Sequence, residues 1–186
     1  MQASKILELY RTRGDLAYEG EGVTQLQHAW QCGRIAERAG ATPELQLACW
    51  LHDLGHLMSS RSGTPTLAGV EERHEEIGAA VLLPIFGAQV SEPVALHVAA
   101  KRYLVATRPD YAHLLSPDSR RSLALQGGPM TVPDCMRFAT LDHAAESVRL
   151  RVWDDHAKNP ALQPVSAEVA ITSLVNLMDA VFERHG

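Results

Sequence analysis

The sequence has few of the features that would place it in a specialised class of protein. Its 186 residues include only three cysteines, which are scattered and form no C-x-x-C pair, so neither a disulfide framework nor a thiolate metal site is indicated. No apolar run approaches the roughly 20 residues that cross a membrane, and no basic, apolar leader begins the chain. The net charge of −5 is spread without long runs, which argues against a nucleic-acid partner. We therefore expect a cytoplasmic protein that binds neither membranes nor nucleic acid.

What the sequence does have is a helical pattern over most of its length. Hydrophobic residues make up 46% and charged residues 21%, as in an ordinary globular chain. The stretch Thr42-Pro43-Glu44 supplies an N-cap, a first-turn proline and a first-turn acid, which mark the start of a helix that carries His52 and that Gly55 is expected to stop. Further helices are predicted over 3–13, 23–39, 72–84, 89–106, 132–155 and 166–184, with a short one from Ser116 to Gly127 and a long loop over 59–70. No alternating strand and no shift in composition are found, so we predict an all-α fold and one domain over residues 1–186.

Four of the nine histidines stand out because each lies in a different predicted helix: His28, His52, His74 and His97. A buried histidine without a partner costs about 1–3 kcal/mol, and a metal ion would supply the partner. Imidazole and carboxylate ligands without thiolates favour non-haem iron or manganese. Asp53 follows His52 directly, and neighbours on a helix point about 100° apart, so this carboxylate can reach a second metal. His74, in the stretch EERHEE, could equally lie on a solvated helix face.

The order His28, His52-Asp53, Asp154 resembles the metal signature of the HD-domain superfamily, an all-helical, metal-dependent fold. Within it, the chain is similar to a small family of mixed-valent diiron oxygenases that cleave the carbon–phosphorus bond of 1-hydroxyalkylphosphonates. The segments that carry this similarity are YEGEGVTQLQHAWQC (18–32), LHDLGH (51–56), RHEEIGA (73–79), HVAAKRYL (97–104), LQGGPM (125–130) and RVWDD (151–155). The most specific are HVAAKRYL and QGGPM, which general HD phosphohydrolases have no reason to carry.

The resemblance implies two iron ions, Fe(II) and Fe(III), in a buried dinuclear site of a helical bundle, with dioxygen as co-substrate. The first iron would be held by His28, His52, Asp53 and Asp154, with Asp155 as the alternative to Asp154. The second would be held by Asp53, His74 and His97, so that Asp53 bridges the two ions. Members of the family act on 2-amino-1-hydroxyethylphosphonate or its N-trimethylated analogue and release phosphate with glycine or glycine betaine.

The resemblance also implies roles for residues around the metals. Tyr18 would occupy an open coordination position until the substrate binds, and Glu21 would lie near the substrate's cationic end. The phosphonate would be held by His56, Lys101 and Arg151, with Ser119 and Gln126 as further candidates. The spacing agrees, because His56, Lys101 and Arg151 each lie one helical turn from a metal-ligand candidate, and a dianion favours Lys and Arg.

The substrate's amine is less well defined by the sequence. A primary ammonium would favour Glu21, whereas a trimethylammonium favours aromatic faces. Aromatic residues are only 5% of the chain, yet Trp30, Trp50 and Trp153 all lie close in sequence to metal-ligand candidates, which slightly favours the trimethylated substrate. Two of them, Trp30 and Trp50, are two residues from a ligand and would point away from it, so they could simply belong to the core.

Three other functions fit parts of the pattern. The first is an HD-type metal-dependent phosphohydrolase that acts on a nucleotide or a phosphate monoester. The second is a non-catalytic HD module, which should have lost a ligand, although none of the six is missing. The third is an oxygenase of a polyol, which Lys101, Arg151 and His56 disfavour because they suit an anion. We expect a monomer whose partner is a small-molecule phosphonate.

Overall fold

The computed structural model describes residues 2–18, 21–59, 65–164 and 166–185. Within these ranges the chain is helical, with one 3-10 turn at Pro65–Ala68 and no strand beyond an isolated bridge between Ala17 and Thr24. The helices are Ala3–Arg13 (α1), Gln25–Arg38 (α2), Pro43–Leu51 (α3), Leu54–Met58 (α4), His74–Phe86 (α5), Ala88–Thr107 (α6), Tyr111–Leu114 (α7), Pro117–Leu125 (α8), Val132–Ala139 (α9), Ala144–His156 (α10) and Ala167–His185 (α11). The all-α prediction is therefore confirmed, and the single domain over 1–186 stays a prediction.

Helix α3 lies at the centre of the bundle. It begins as its sequence predicts, with Pro43 in the first turn and the Thr42 side chain accepting a hydrogen bond from the Leu45 backbone N–H. Seven of its nine residues are buried, and it packs against α2, α6, α10 and α11. A helix that is apolar on nearly every side can be satisfied only in the middle of a bundle. Helix α3 therefore fixes the position of the residues that follow its C-terminal end.

The residues that follow are His52 and Asp53, and here the structure differs from the prediction of one continuous helix. Helix α3 ends at Leu51, the two residues form a turn, and α4 begins at Leu54. Gly55, which we expected to stop the helix, lies inside α4 instead. Its missing side chain is needed for close packing, because a Cβ there would lie 2.1 Å from the His74 carbonyl oxygen. Gly55 thus allows α4 to approach the start of α5.

The predicted helix over 132–155 is two helices, α9 and α10. They are separated at 140–143, where His143 adopts a left-handed backbone conformation with φ of 62°. No glycine or proline marks this break, which is why the sequence pattern missed it. Of the predicted loop over 59–70, residues 60–64 lie outside the described residues and 65–68 form the 3-10 turn. No helix in the described ranges is long and apolar enough to cross a membrane.

Candidate metal centre and active site

The side chains of His28 and His52 face each other at the bottom of the candidate site. Their Nε2 atoms are 3.2 Å apart. The Nδ1 of His28 lies 2.8 Å from the carbonyl oxygen of Ala157, and that of His52 lies 2.9 Å from the carbonyl oxygen of Cys49. A carbonyl only accepts, so each Nδ1 carries the hydrogen and donates it. In the neutral form that binds a metal, each ring would turn an Nε2 lone pair toward the other, which is favourable only with a cation between them.

A second pair of histidines repeats this arrangement. The Nε2 atoms of His74 and His97 are 3.1 Å apart, and the His97 Nδ1 lies 2.7 Å from the Val94 carbonyl oxygen. The His74 Nδ1 faces the Glu75 carboxylate at 3.6 Å. Burial, and then the neighbouring His56, lowers the pKa of His74 to about 4. Burial likewise holds the pKa of His97 well below its usual range, so at neutral pH both rings are neutral and able to bind a metal.

Asp53 lies between the two pairs and presents one carboxylate oxygen to each. Its Oδ2 is 3.2 Å from the Nε2 of His52 and 3.5 Å from that of His28. Its Oδ1 is 3.3 Å from the Nε2 of His74 and 3.9 Å from that of His97. This is the arrangement that a carboxylate bridging two metal ions requires. The turn between α3 and α4 produces it, because it aims Asp53 across the site while His52 remains beside His28.

Asp154 completes the first group. Its Oδ1 is 3.3 Å from the Nε2 of His28 and 3.7 Å from that of His52. Asp155, the alternative from the sequence, instead binds Arg151 and Tyr111 and does not face the histidines in the described structure. The buried atoms Asp154 Oδ1 and Asp53 Oδ2 have no hydrogen-bond partner among the described residues. Buried carboxylate oxygens without donors are costly, so the residues present fit a pair of cations at this place.

The charges of these groups point the same way. Burial alone would raise the pKa of Asp53, yet the surrounding histidines, His52 first, hold it well below the usual range. Burial would lower the pKa of His52, but Asp53 and Asp154 raise it well above its ordinary value. A positive charge is therefore favoured beside His52, whether a proton or a metal ion carries it.

Above the metal-ligand candidates is a cavity lined by the remaining predicted residues. It contains all seven: Tyr18, Glu21, His56, Lys101, Ser119, Gln126 and Arg151. The Tyr18 ring stacks on His28, with ring centres 4.0 Å apart, which places this tyrosine directly beside the first histidine pair. His56 stacks on His74 and its Nδ1 lies 3.0 Å from a Glu72 carboxylate oxygen. None of the tryptophans is among the described residues that line this cavity; they belong to the core or pack against it.

The cationic side of the cavity is buried. Lys101 is 3% exposed, and its Nζ donates to the Ser122 hydroxyl over 2.7 Å. Burial, and then the charge of Arg151, lowers the pKa of Lys101 to about 7. Two carboxylates on the same helix hold the Arg151 guanidinium, which donates to Asp154 over 2.5 Å and also to Asp155. Arg151 therefore fixes the orientation of the Asp154 carboxylate as well as facing the cavity.

Sequence reasoning missed several residues of this cavity. Ser122 lies beside Lys101, Glu72 beside His56, and Lys158 beside Ser119 and Glu21. Ser122 could have been found from its spacing, since it lies three residues after Ser119 on α8. Lys158 follows the end of α10 in a loop, where no periodicity indicates which way a side chain points.

Comparison with known proteins identifies the family to which this chain belongs. The model of the HD domain family matches residues 26–132, which include five of the six ligand candidates; Asp154 lies beyond it. The chain belongs to the HD domain family.

Two relatives of this chain are named as phosphonate dioxygenases, and a third is uncharacterized. Hydroxymethylphosphonate dioxygenase of Gimesia maris is 40% identical over 163 residues, covering 87% of this chain and 81% of the relative. The glycine-betaine-forming [1-hydroxy-2-(trimethylamino)ethyl]phosphonate dioxygenase of Leisingera caerulea is 38% identical over 156 residues, covering 83% and 79%. An uncharacterized protein of Acanthamoeba polyphaga mimivirus is 34% identical over 155 residues, covering 82% and 71%. The predicted resemblance to phosphonate-cleaving HD oxygenases is confirmed.

Proposed function

We propose that this protein is a non-haem diiron oxygenase that cleaves the carbon–phosphorus bond of a 1-hydroxyalkylphosphonate. The products would be phosphate and the carboxylate formed from the hydroxyl-bearing carbon. One O2 accounts for the two oxygen atoms by which these products exceed the substrate. The observation that carries the proposal is the Asp53 carboxylate, which turns one oxygen to each histidine pair beneath a cavity that contains buried cations. The names of the two dioxygenase relatives support it.

The metal ligands follow from the geometry. His28, His52 and Asp154 would hold one iron, His74 and His97 the other, and Asp53 would bridge them. When bound, the iron pair would activate dioxygen and act as Lewis acids toward the substrate's oxygen atoms. The number of two irons and their mixed valence are the part of this proposal that rests on the resemblance.

The cavity's own residues would bind and orient the substrate. Lys101, whose ammonium donates one hydrogen bond to Ser122, offers its positive charge to the phosphonate oxygens, and Ser119 offers a hydroxyl from its place beside Arg151 and Lys158. His56 donates its Nδ1 hydrogen to Glu72 and stacks on His74, and these two contacts orient its ring at the cavity. Arg151 would act mainly by holding Asp154, because its guanidinium already has carboxylate partners. Tyr18, stacked on His28, would close the side of the site until the substrate displaces it.

The group at the far end of the substrate differs between the two relatives. The name of one specifies a trimethylamino group, as our sequence analysis favours, and that of the other a hydroxymethylphosphonate, which carries no amine. Both substrates contain the hydroxyl and the phosphonate. The iron pair that Asp53 would bridge and the Lys101 ammonium would be complementary to these two groups. The proposed reaction is the same for both.

The test is to load the protein with iron under argon and measure phosphate release from both phosphonates with and without oxygen. We expect about two irons per chain, an electron paramagnetic resonance signal of a mixed-valent pair that shifts on adding substrate, and phosphate release only with oxygen. Phosphate release that continues without oxygen would instead support the phosphohydrolase. A single bound zinc or manganese without such a signal would also defeat the proposal. An Asp53→Asn variant, which keeps the shape of the bridge but not its charge, should bind less metal.

A further inference from the structure

Lys158 is a third cation at the cavity, and it lies beside the residue that the resemblance assigns to the substrate's amine. Its Nζ is 3.8 Å from an Oε1 of Glu21, and both side chains are largely buried, 11% and 13% exposed. The same Nζ is 3.3 Å from the Ser119 hydroxyl and lies over the Tyr18 ring, 5.6 Å from its centre. The ammonium thus lies between a carboxylate and an aromatic face.

The main chain on both sides of Lys158 is fixed. The Ala157 carbonyl accepts the hydrogen bond from His28. On the other side, the Gln31 side chain donates to the Asn159 carbonyl over 2.8 Å and accepts from the Asn159 N–H over 3.0 Å. Helix α2 therefore holds the backbone of Lys158 in place through two of its inward-facing residues. The position of the ammonium is determined by the fold and not by a free surface chain.

Glu21 is held as firmly from its own side. Its N–H donates to the Tyr18 carbonyl over 2.8 Å, and the Tyr18 N–H donates to the Val23 carbonyl over 2.9 Å. Gly22, the next residue, has φ of +76°, a conformation that glycine adopts without strain. The Glu21 carboxylate and the Tyr18 ring both face Lys158.

A carboxylate and an aromatic face are the two groups by which proteins bind an alkylammonium ion. Lys158 already supplies such an ion to both. We propose, on the basis of the function proposed above, that Lys158 occupies the subsite for a substrate ammonium, so that this enzyme prefers 1-hydroxyalkylphosphonates that carry no cationic group. A second ammonium would have to share Glu21 with Lys158 at short range, and like charges in a partly buried site repel strongly.

Apart from the metal-ligand candidates, three acidic side chains besides Glu21 line the cavity in the described structure. Glu72 binds His56 and Ser59, Asp118 binds Thr66 and Arg121, and Glu71 accepts a hydrogen bond from the Arg73 backbone N–H. Tyr18 is the one aromatic side chain other than histidine among the described residues that line the cavity. Glu21 is therefore the carboxylate that, together with the Tyr18 ring, surrounds one ammonium ion, and Lys158 supplies that ion.

The experiment compares two ligands of the same length that differ only in charge, 2-aminoethylphosphonate and propylphosphonate. Neither has the 1-hydroxyl, so binding is measured by calorimetry without turnover, on iron-loaded protein under argon. We expect the wild-type protein to bind propylphosphonate more tightly. Lys158→Met keeps the length of the side chain and removes its charge, and it should shift the ratio of the two dissociation constants at least tenfold toward the amine. A tenfold shift corresponds to about 1.4 kcal/mol.

Two controls isolate the charge of Lys158. Lys158→Arg keeps a cation and should keep the wild-type preference. Adding Glu21→Gln to Lys158→Met removes the carboxylate that would attract the amine and should cancel the shift. The alternative role of Lys158 is to bind the phosphonate itself. In that case Lys158→Met would weaken both ligands by the same factor and leave the ratio unchanged, and that result would overturn the proposal.

Turnover is measured separately, so the two proposals can fail independently. If the dissociation-constant ratio shifts but no phosphonate releases phosphate with oxygen, the cation subsite stands and the oxygenase function falls. If phosphate is released only with oxygen but the ratio does not move, the oxygenase stands and the role of Lys158 falls. If both hold, Lys158→Met should also raise phosphate release from the trimethylamino substrate relative to hydroxymethylphosphonate.

Discussion

Replacing Gly55 by alanine should remove the second metal ion while leaving most of the fold intact. A Cβ at this position would lie 2.1 Å from the carbonyl oxygen of His74, and 2.7 and 2.8 Å from its C and Cα atoms. All three atoms belong to the backbone, so no side-chain rotation can relieve the contact. The start of α5 would have to move away from α4, and His74 would move with it.

The size of the effect follows from these distances. A Cβ is essentially never found closer than 3.0 Å to another heavy atom, so the His74 backbone must retreat by about 1 Å. Metal–ligand distances tolerate only about 0.2 Å, which leaves His74 outside bonding range of an ion held by Asp53 and His97. Overpacking of this kind costs about 1–3 kcal/mol of stability, less than the total of a typical domain.

The control is Gly78→Ala, on the facing helix α5. A Cβ there meets its nearest atom, the Gly55 backbone nitrogen, at 3.4 Å, an ordinary contact. This variant should fold at least as well as the wild type, because alanine favours a helix by about 1 kcal/mol over glycine. Metal per chain by mass spectrometry and thermal unfolding measure both variants. If Gly55→Ala bound as much metal as Gly78→Ala, the argument that close packing positions His74 would be wrong.

Three further predictions follow from single contacts. Asp154→Asn should lower the metal bound per chain, measured by mass spectrometry, because it removes the charge that faces His28 and His52. Gln31→Leu should lower the free energy of unfolding, measured by urea denaturation, by about 2–4 kcal/mol, since three hydrogen bonds to Asn159 and Leu162 are lost. Burial lowers the pKa of Lys101 to about 7, so the lysine loses its proton as pH rises through that value. The affinity for propylphosphonate should therefore fall from pH 6 to 9 more steeply than in Lys101→Arg, whose guanidinium stays charged; equal slopes by calorimetry would contradict this assignment.

The ends of the helices could be predicted where neighbouring residues in the sequence mark them, and not where the packing of the folded chain determines them. The stretch from Thr42 to Glu44 carries its own cap and first turn, and α3 begins there. The break between α9 and α10 has no such signal, since neither glycine nor proline stands where His143 adopts its left-handed conformation. The split of α3 and α4 at Asp53 was missed for the same reason. That split is what lets one carboxylate face two pairs of histidines.

The residues of the candidate site could likewise be predicted only in part from the sequence. The order of His28, His52-Asp53 and Asp154 along the chain named these residues as candidates through its resemblance to the HD signature. The grouping of the histidines into two pairs also came only from the resemblance, since the 3.2 Å between the Nε2 atoms of His28 and His52 depends on how the chain folds. Lys158 was not found because its partner Glu21 is distant in sequence, and a loop lysine has no feature that distinguishes it from a surface charge.

The groups that accept hydrogen bonds from the Nδ1 atoms of the histidines determine which mutations can disturb the site. Three of the four rings, His28, His52 and His97, are oriented by main-chain carbonyls of Ala157, Cys49 and Val94. A carbonyl is present whatever side chain the residue carries, so substitutions at those three positions that preserve the backbone cannot delete the acceptor. His74 alone faces a side chain, Glu75, at its Nδ1. The two histidines of the first metal group therefore keep their Nδ1 acceptors when neighbouring side chains are substituted, whereas a substitution of Glu75 can change the setting of His74 in the second group.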